Sequence, residues 1–128
     1  MSLRFYLAGS LDQGSRIKEC IQIVKEMGHE ISFDWTVHAS VKPYQEHSVE
    51  AGHFAEQALA GAKNCDVFVL IPNEDGGTTQ FTELGAAIFS EQVKYVFVVG
   101  PYNTRSMAFF HPRVTRVESF QDVLEKMR

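Results

Sequence analysis

Hydrophobic and polar positions along the chain alternate between two kinds of pattern. Short apolar runs, such as RFYLA at residues 4–8 and DVFVLI at residues 66–71, predict strands that are buried on both faces. Between such runs the apolar residues recur every three or four positions and predict amphipathic helices. The pattern predicts strands at residues 4–8, 29–35, 66–71, 94–100 and 113–117, and helices at residues 13–27, 49–63, 79–90 and 119–127.

Strands that alternate with helices in this way form parallel βαβ units with right-handed crossovers. Five strands predict an α/β fold, a flavodoxin-like or Rossmann-like doubly wound parallel sheet of order 2-1-3-4-5 with helices on both faces. The length suits a single domain over residues 1–128. The ligand crevice of such a sheet lies at the carboxyl ends of strands 1 and 3. The segments at residues 8–10 and 72–79 leave those ends, so we expect the site between them.

Composition and charge exclude several classes of function. A net charge of −4 lacks the basic field of a nucleic-acid-binding surface. No apolar run reaches the roughly 20 residues of a membrane span, so we expect no membrane partner. Cys20 and Cys65 fall in apolar patterns and are interpreted as buried free thiols of a cytoplasmic protein. His38, His47 and His53 are too scattered for a metal site, and we expect neither a metal nor a cofactor.

The segment GGTTQFTELGAAI at residues 76–88 carries the clearest candidate chemistry. A glycine-rich turn that enters a helix can bind an anion through its N–H groups, although this one matches neither a P-loop nor GxGxxG. Glu83 lies among apolar and small residues, and Gln80 three positions earlier excludes a capping box. Two interpretations stay open. Glu83 is either a first-turn acid stabilised by the helix dipole or a nucleophile that the positive helix end keeps ionised.

Four segments occur in the order and spacing of a known family: FYLAGS (5–10), GHEISFDWT (28–36), NCDVFVLI (64–71) and GGTTQFTELGAAI (76–88). Through them the chain resembles the nucleoside 2-deoxyribosyltransferase-like proteins, which include the 2'-deoxynucleoside 5'-monophosphate N-glycosidases. The resemblance implies an enzyme that cleaves or transfers the N-glycosidic bond of a 2'-deoxynucleoside. It also implies that Glu83 is the nucleophile, that Tyr6 positions its carboxylate, and that Thr78 and Thr79 contact the sugar or a 5'-phosphate.

Other candidate contacts follow from positions at the crevice. Gly9 and Ser10 leave the first strand, where Ser10 either contacts the ligand or caps the first helix. Asp34 and Trp35 end the second strand. Asp34 could bind sugar hydroxyls or the base, and Trp35 either stacks on a nucleobase or packs in the core. Gly77 would offer its backbone to the substrate from the glycine-rich turn.

The segment PYNTRSMAFFHP at residues 101–112 carries a cluster of large apolar side chains, namely Tyr102, Met107, Phe109 and Phe110. An exposed apolar cluster usually marks an interface. We therefore expect a homodimer, or a larger homo-oligomer, in which this segment packs on a neighbouring chain. The alternative is that the segment folds back over its own sheet. The resemblance implies that a neighbour's polar side chain completes the pocket, here Ser106, with Asn103 as the second choice.

Two positions depart from the family pattern. The acid that usually stands eight residues before Asp66 is replaced by Ala58, which leaves open the group that protonates the base. Asp12 stands where nucleotide-cleaving members tend to carry a basic residue, and its charge favours nucleosides over nucleotides. Three alternatives to a deoxynucleoside enzyme stay open: a 2'-deoxynucleotide N-hydrolase, a nucleotide-binding module without chemistry, and a glycohydrolase acting on NAD or another ribosylated substrate.

Overall fold

The computed structural model describes residues 2–127, in which strands and helices alternate. The strands are β1 (Arg4–Ala8), β2 (Glu30–Ile31), β3 (Val67–Leu70), β4 (Tyr95–Val99) and β5 (Val114–Val117). The helices are α1 (Gly14–Glu26), α2 (Ser48–Lys63), α3 (Thr79–Ile88) and α4 (Phe120–Lys126). The single domain over residues 1–128 stays a prediction, and its terminal residues Met1 and Arg128 lie outside the described residues.

The strands form one five-stranded sheet in the order β2-β1-β3-β4-β5, and every neighbouring pair is parallel. The predicted fold class and strand order are therefore confirmed. Helices α1 and α4 pack on one face of the sheet, and α2 and α3 pack on the other. Successive β1 side chains alternate between the two cores, with Phe5 and Leu7 on the α1 side and Tyr6 and Ala8 on the α3 side. A sheet covered on both faces accounts for the continuous apolar runs in its central strands.

The second strand is shorter than the sequence predicts, because β2 ends at Ile31 rather than at Trp35. Beyond β2 the side chain of Asp34 accepts a hydrogen bond from the Thr36 N–H at 2.9 Å and begins a short turn. The Trp35 indole N–H donates to the Leu7 carbonyl at 2.7 Å. Side-chain hydrogen bonds of this kind compete with a strand ladder. They turn the chain away from β1 and towards the crevice.

Helix α2 approaches the sheet closely at Gly61. A Cβ atom at this position would lie 2.8 Å from the Phe33 Cβ and 3.0 Å from the Tyr6 ring. Any other residue would therefore push the helix away from the sheet. This close approach brings α2 beside Tyr6, at the end of the sheet where the crevice lies.

Cys20 and Cys65 are both buried and free, as the sequence predicts. Burial raises the pKa of both thiols, and raises that of Cys65 to about 12. Within residues 2–127 no helix is both long and apolar enough to cross a membrane. The same residues contain no cluster of three or more His, Cys, Asp and Glu side chains suited to a metal ion.

Candidate active site

A cavity of about 730 Å³ lies at the carboxyl ends of β1 and β3, where the strand order reverses. Its lining comes from the loop after β1, the segment after β2, one side of α2 and the glycine-rich turn that enters α3. The structure brings most of the predicted site residues together there. Those that line the cavity are Gly9, Ser10, Trp35, Gly77, Thr78, Thr79 and Glu83.

Glu83 points its carboxylate at the cavity while Tyr6 holds it from the sheet side. The Tyr6 hydroxyl donates a hydrogen bond to Glu83 Oε2, which leaves Oε1 without a hydrogen-bond partner within residues 2–127. Tyr6 itself is fully buried on β1, and its ring stacks on Phe68 with centroids 5.9 Å apart. Tyr6 therefore contacts the carboxylate without lining the cavity, and one carboxylate oxygen stays available to a ligand.

Burial raises the pKa of Glu83 from its ordinary 4.5 to about 7, and the hydrogen bond from Tyr6 opposes this rise. The expectation that the helix end keeps this carboxylate ionised is therefore wrong. Glu83 is the fifth residue of α3, and the effect of the helix dipole falls off within the first turn. Burial, together with the neighbouring carboxylate, also raises the pKa of the Tyr6 hydroxyl. Tyr6 thus stays a donor, while Glu83 is divided between ionised and protonated forms near neutral pH.

The glycine-rich turn is held by two side chains. The Gly76 carbonyl accepts hydrogen bonds from Gln80 Nε2 at 3.1 Å and from Arg105 Nη2 at 3.2 Å. Arg105 also donates from Nε to the Asn73 carbonyl at 2.7 Å. Gly77 has a φ of +68°, and a Cβ there would meet the Gln80 amide nitrogen at 2.5 Å, so glycine is required. The turn is therefore a fixed part of the cavity wall.

Gln80 has an unusual place in this wall. Its side chain is buried, and its Oε1 has no hydrogen-bond partner within residues 2–127. Buried acceptors normally have a partner. The bond from Nε2 to the Gly76 carbonyl fixes which end of the amide is the acceptor. Because this oxygen has almost no exposed surface, a ligand in the cavity does not reach it without a shift of the Gln80 side chain.

Ser10 ties the loop after β1 to the loop after β3. Its hydroxyl donates to Asp12, and Asn73 Nδ2 donates to Ser10 Oγ at 2.9 Å and to Asp12 Oδ2 at 2.8 Å. The Ser10 side chain makes no capping bond, so the alternative role as a helix cap is not observed. Ser10 and Asp12 therefore present a fixed polar edge to the cavity.

The rest of the lining is mainly aromatic and apolar. The aromatic side chains are those of Phe33, Trp35, His38, Tyr44 and Phe54. The His38 ring packs against two of them, with centroids 5.5 Å from Phe33 and 4.5 Å from Phe54. Large planar side chains offer stacking surfaces to a planar base. This part of the wall fits a nucleobase.

Besides Tyr6, three candidate residues lie outside the cavity lining. Asp34 uses its carboxylate to cap the turn after β2. Ser106 caps the turn Met107–Phe110, where its hydroxyl accepts from the Ala108 N–H at 3.2 Å. Asn103, the second choice after Ser106, is buried, and its amide donates to the Val117 carbonyl at 2.9 Å. Within one chain, neither Asp34 nor Ser106 lines the cavity that contains Glu83.

Sequence reasoning missed Gln80 and most of the aromatic wall. Gln80 could have been found, because Gln80, Glu83, Leu84 and Ala87 share one buried face of α3 at helical spacing. Two polar residues on such a face are a signal of function. Tyr44 and the other lining residues after β2 come from a segment without regular period, which gave no comparable signal.

Comparisons with known proteins relate the chain to a solved fold. No protein-family model matches the chain, and no curated protein matches it. The solved structure of the CMP N-glycosidase BcmB from Clostridium botulinum is similar, with a TM-score of 0.61 and 17% sequence identity. The similarity covers 97% of this chain and 97% of that chain. At this identity it shows a shared fold, which agrees with the five-stranded sheet described above.

Proposed function

We propose that the chain is an enzyme that cleaves the N-glycosidic bond of a nucleoside with Glu83 as the nucleophile. One observation carries the proposal: a buried carboxylate, held at Oε2 by Tyr6, lines a cavity with an aromatic wall. The quoted sequence segments and the fold shared with a CMP N-glycosidase both support this bond type. The resemblance favours 2'-deoxynucleosides among the possible substrates.

The reaction proceeds in two displacements. Glu83 Oε1 attacks the anomeric carbon through an oxocarbenium-like transition state, the bond to the base breaks, and a covalent glycosyl-enzyme forms. Water or a second base then attacks the same carbon and releases the carboxylate. Water as the acceptor makes the enzyme a hydrolase, and a base makes it a transferase. Tyr6 orients the carboxylate in both steps through its bond to Oε2.

The proposed substrate spans the cavity from the aromatic wall to the turn. Trp35 and its aromatic neighbours stack on the base, because they supply the planar part of the lining. The sugar lies against Thr78, Thr79 and the backbone of Gly77.

A nucleoside fits this cavity better than a nucleotide. Asp12 and Asp75 both line the cavity, and their charges would repel a 5'-phosphate. A nucleotide stays the alternative, since the similar protein from Clostridium botulinum is a CMP N-glycosidase. A direct comparison of cytidine with CMP decides between the two.

We also propose that the protein forms a homodimer through residues 101–112. Phe109 is buried and stacks on Phe81 at 5.8 Å, so this part of the segment folds back on its own chain. Met107 and Phe110 remain exposed, and the exposed Phe89 lies beside the same segment through its contact with His111. This apolar patch would pack on a second copy and bring Ser106 towards Glu83 of that copy. Light scattering that shows a monomer at micromolar concentration would contradict this assembly.

A second candidate is a nucleotide-binding module that has the fold without the chemistry. The observation in its favour is Ala58, which lines the cavity where the family usually has an acid. Tight binding of a nucleotide without base release over long incubation would support this candidate. Release of free base would exclude it.

The test of the proposed function is an assay of base release and base exchange. The protein is incubated with deoxynucleosides, ribonucleosides, CMP and NAD, each with and without a second free base. We expect release or exchange of base, and a sugar adduct on Glu83 in the mass spectrum of the trapped protein. Glu83→Gln should abolish both signals, whereas Glu91→Gln, at an exposed carboxylate, should keep them. Full activity of Glu83→Gln would reject the assigned nucleophile.

A further inference from the structure

The side of α2 that lines the cavity carries no ionisable group. It consists of Ala51, Phe54, Ala55 and Ala58, whose spacing places them on one helix face. Of the other described lining residues, His38, Lys42 and Tyr44 also carry ionisable side chains, and all three come from the segment between β2 and α2. The His38 ring packs against two phenyl rings and makes no side-chain hydrogen bond within residues 2–127. The α2 wall, in contrast, offers a bound base no proton donor.

This matters because most nucleobases are poor leaving groups. A neutral base departs as an anion unless an acid protonates it, and a positioned acid contributes about 10²–10⁴-fold to the rate. A base that already carries a positive charge departs as a neutral molecule and needs no proton. A site with a carboxylate nucleophile and no acid on its α2 wall is therefore suited to a cationic base.

The charges of the cavity favour the same kind of substrate. Three carboxylates line the cavity, those of Asp12, Asp75 and Glu83, and Lys42 is the single lysine or arginine among the described lining residues. An excess of negative charge attracts a cation and repels an anion. The aromatic side chains described above add to this, because a cation is attracted to the face of an aromatic ring.

We propose that the substrates of this site are nucleosides with a positively charged base, such as N-ribosyl pyridinium compounds or N7-alkylated purine nucleosides. The inference rests on the proposed function, since it needs Glu83 to act on an N-glycosidic bond. It narrows that function to substrates whose base leaves without a proton donor at position 58, where this chain has Ala58.

The bond changes balance without an added reactant other than water. A bond forms between Glu83 Oε1 and the anomeric carbon, while the bond from that carbon to the ring nitrogen breaks. Its electron pair moves to the nitrogen, so the base leaves neutral and the ring loses its charge. Water then bonds to the anomeric carbon, the ester bond breaks, and its electron pair returns to the carboxylate. One proton, from the attacking water, is released to solvent.

A cationic substrate also favours the active form of the nucleophile. Burial raises the pKa of Glu83 to about 7, so only part of the free enzyme is ionised at neutral pH. A positive charge beside a carboxylate lowers the pKa of that carboxylate. Binding of the cation therefore increases the ionised fraction of Glu83, whereas a phosphate would decrease it.

The test compares 7-methylguanosine with guanosine, each as the riboside and as the 2'-deoxyriboside, on the wild-type protein. Each kcat/KM is divided by the uncatalysed rate of the same compound, because methylation also labilises the bond. We expect this ratio to be about 100-fold or more higher for the cationic compound. Equal ratios would overturn the inference and leave the proposed function standing. Cleavage of neither compound, nor of nicotinamide riboside, would overturn the inference. The proposed function would fall with it only if the deoxynucleosides, ribonucleosides and CMP of its own assay were also left intact.

Variants at Ala58 test the missing acid directly. Ala58→Asp should reduce the preference for 7-methylguanosine over guanosine by about 100-fold, because it supplies a proton donor beside the base. Ala58→Asn matches its size without a transferable proton and should keep the wild-type preference. An unchanged preference in a folded Ala58→Asp protein would count against the inference. So would a selective loss of guanosine cleavage in His38→Phe, since His38 would then be the acid.

Discussion

Replacing Glu83 by Gln should stabilise the fold, and the gain should grow with pH. The carboxylate is buried with one partner, the Tyr6 hydroxyl, so ionising it in the folded state is unfavourable. Gln keeps an oxygen that accepts from Tyr6 but has no charge to bury. The buried, ionised carboxylate of the candidate nucleophile therefore lowers the unfolding free energy of the wild-type protein, and the variant lacks this loss.

The size of this cost follows from the pKa of Glu83. The rise from 4.5 to about 7 corresponds to about 3 kcal/mol, at about 1.4 kcal/mol for each pKa unit. The pKa of Glu83 is higher in the folded state than in the unfolded state. The contribution of Glu83 to the unfolding free energy is therefore fully present below pH 4.5 and is lost as the pH rises through about 7. Between pH 5 and pH 8, Glu83→Gln should gain about 2 to 3 kcal/mol relative to wild type.

Urea unfolding of both proteins at pH 5 and pH 8 measures the effect. The midpoint of Glu83→Gln should exceed that of wild type by roughly 1 M more at pH 8 than at pH 5. The matched control is Glu91→Gln, an exposed carboxylate, which should change stability by no more than about 0.5 kcal/mol at either pH. A difference between Glu83→Gln and wild type that does not change with pH would refute the burial argument.

Three further predictions concern the site and its support. Tyr6→Phe removes the donor that lowers the pKa of Glu83, so the acidic limb of the kcat/KM profile should move up by about 1 to 2 pH units. An acidic limb at the wild-type pH would contradict this prediction. Arg105→Met frees the glycine-rich turn and should raise KM about tenfold with little change in far-UV circular dichroism; an unchanged KM would show that the turn holds without it. Gly61→Ala should lower the unfolding free energy by about 1–3 kcal/mol. Gly52→Ala in the same helix should not, because nothing lies within 4 Å of the new Cβ. Equal effects of the two substitutions in urea unfolding would exclude the steric explanation.

The strands that the sequence predicts best are those that the fold covers on both sides. Beyond their exposed first residues, Arg4 and Tyr95, β1 and β4 are apolar and buried, and β3 is so along its whole length. Helices bury both faces of the sheet, and an uninterrupted apolar run indicates that burial directly. β2 was predicted too long because its end depends on hydrogen bonds from Asp34 and Trp35. A hydrophobic pattern does not report such bonds.

Some features of the site could likewise be predicted from the sequence, and others could not. Glu83 and the glycine-rich turn could be located because the strand order alone places a crevice at their end of the sheet. The ionisation of Glu83 could not be predicted, since it depends on the depth of burial and on Tyr6, which is distant in sequence. His38 and Tyr44 reach the cavity through the path of an irregular segment, which only tertiary structure determines.

The short second strand also bears on how the protein avoids aggregation. A strand with unpaired carbonyl groups is a template on which another chain can add. Along β1 and the residue before it, the carbonyls that face β2 are all paired. Those of Leu3, Phe5 and Leu7 accept from the Glu30 N–H, the Ser32 N–H and the Trp35 indole N–H. The Trp35 indole thus takes the place of a backbone donor beyond the end of β2. The segment after β2 can turn away to line the cavity without leaving the Leu7 carbonyl of β1 unpaired.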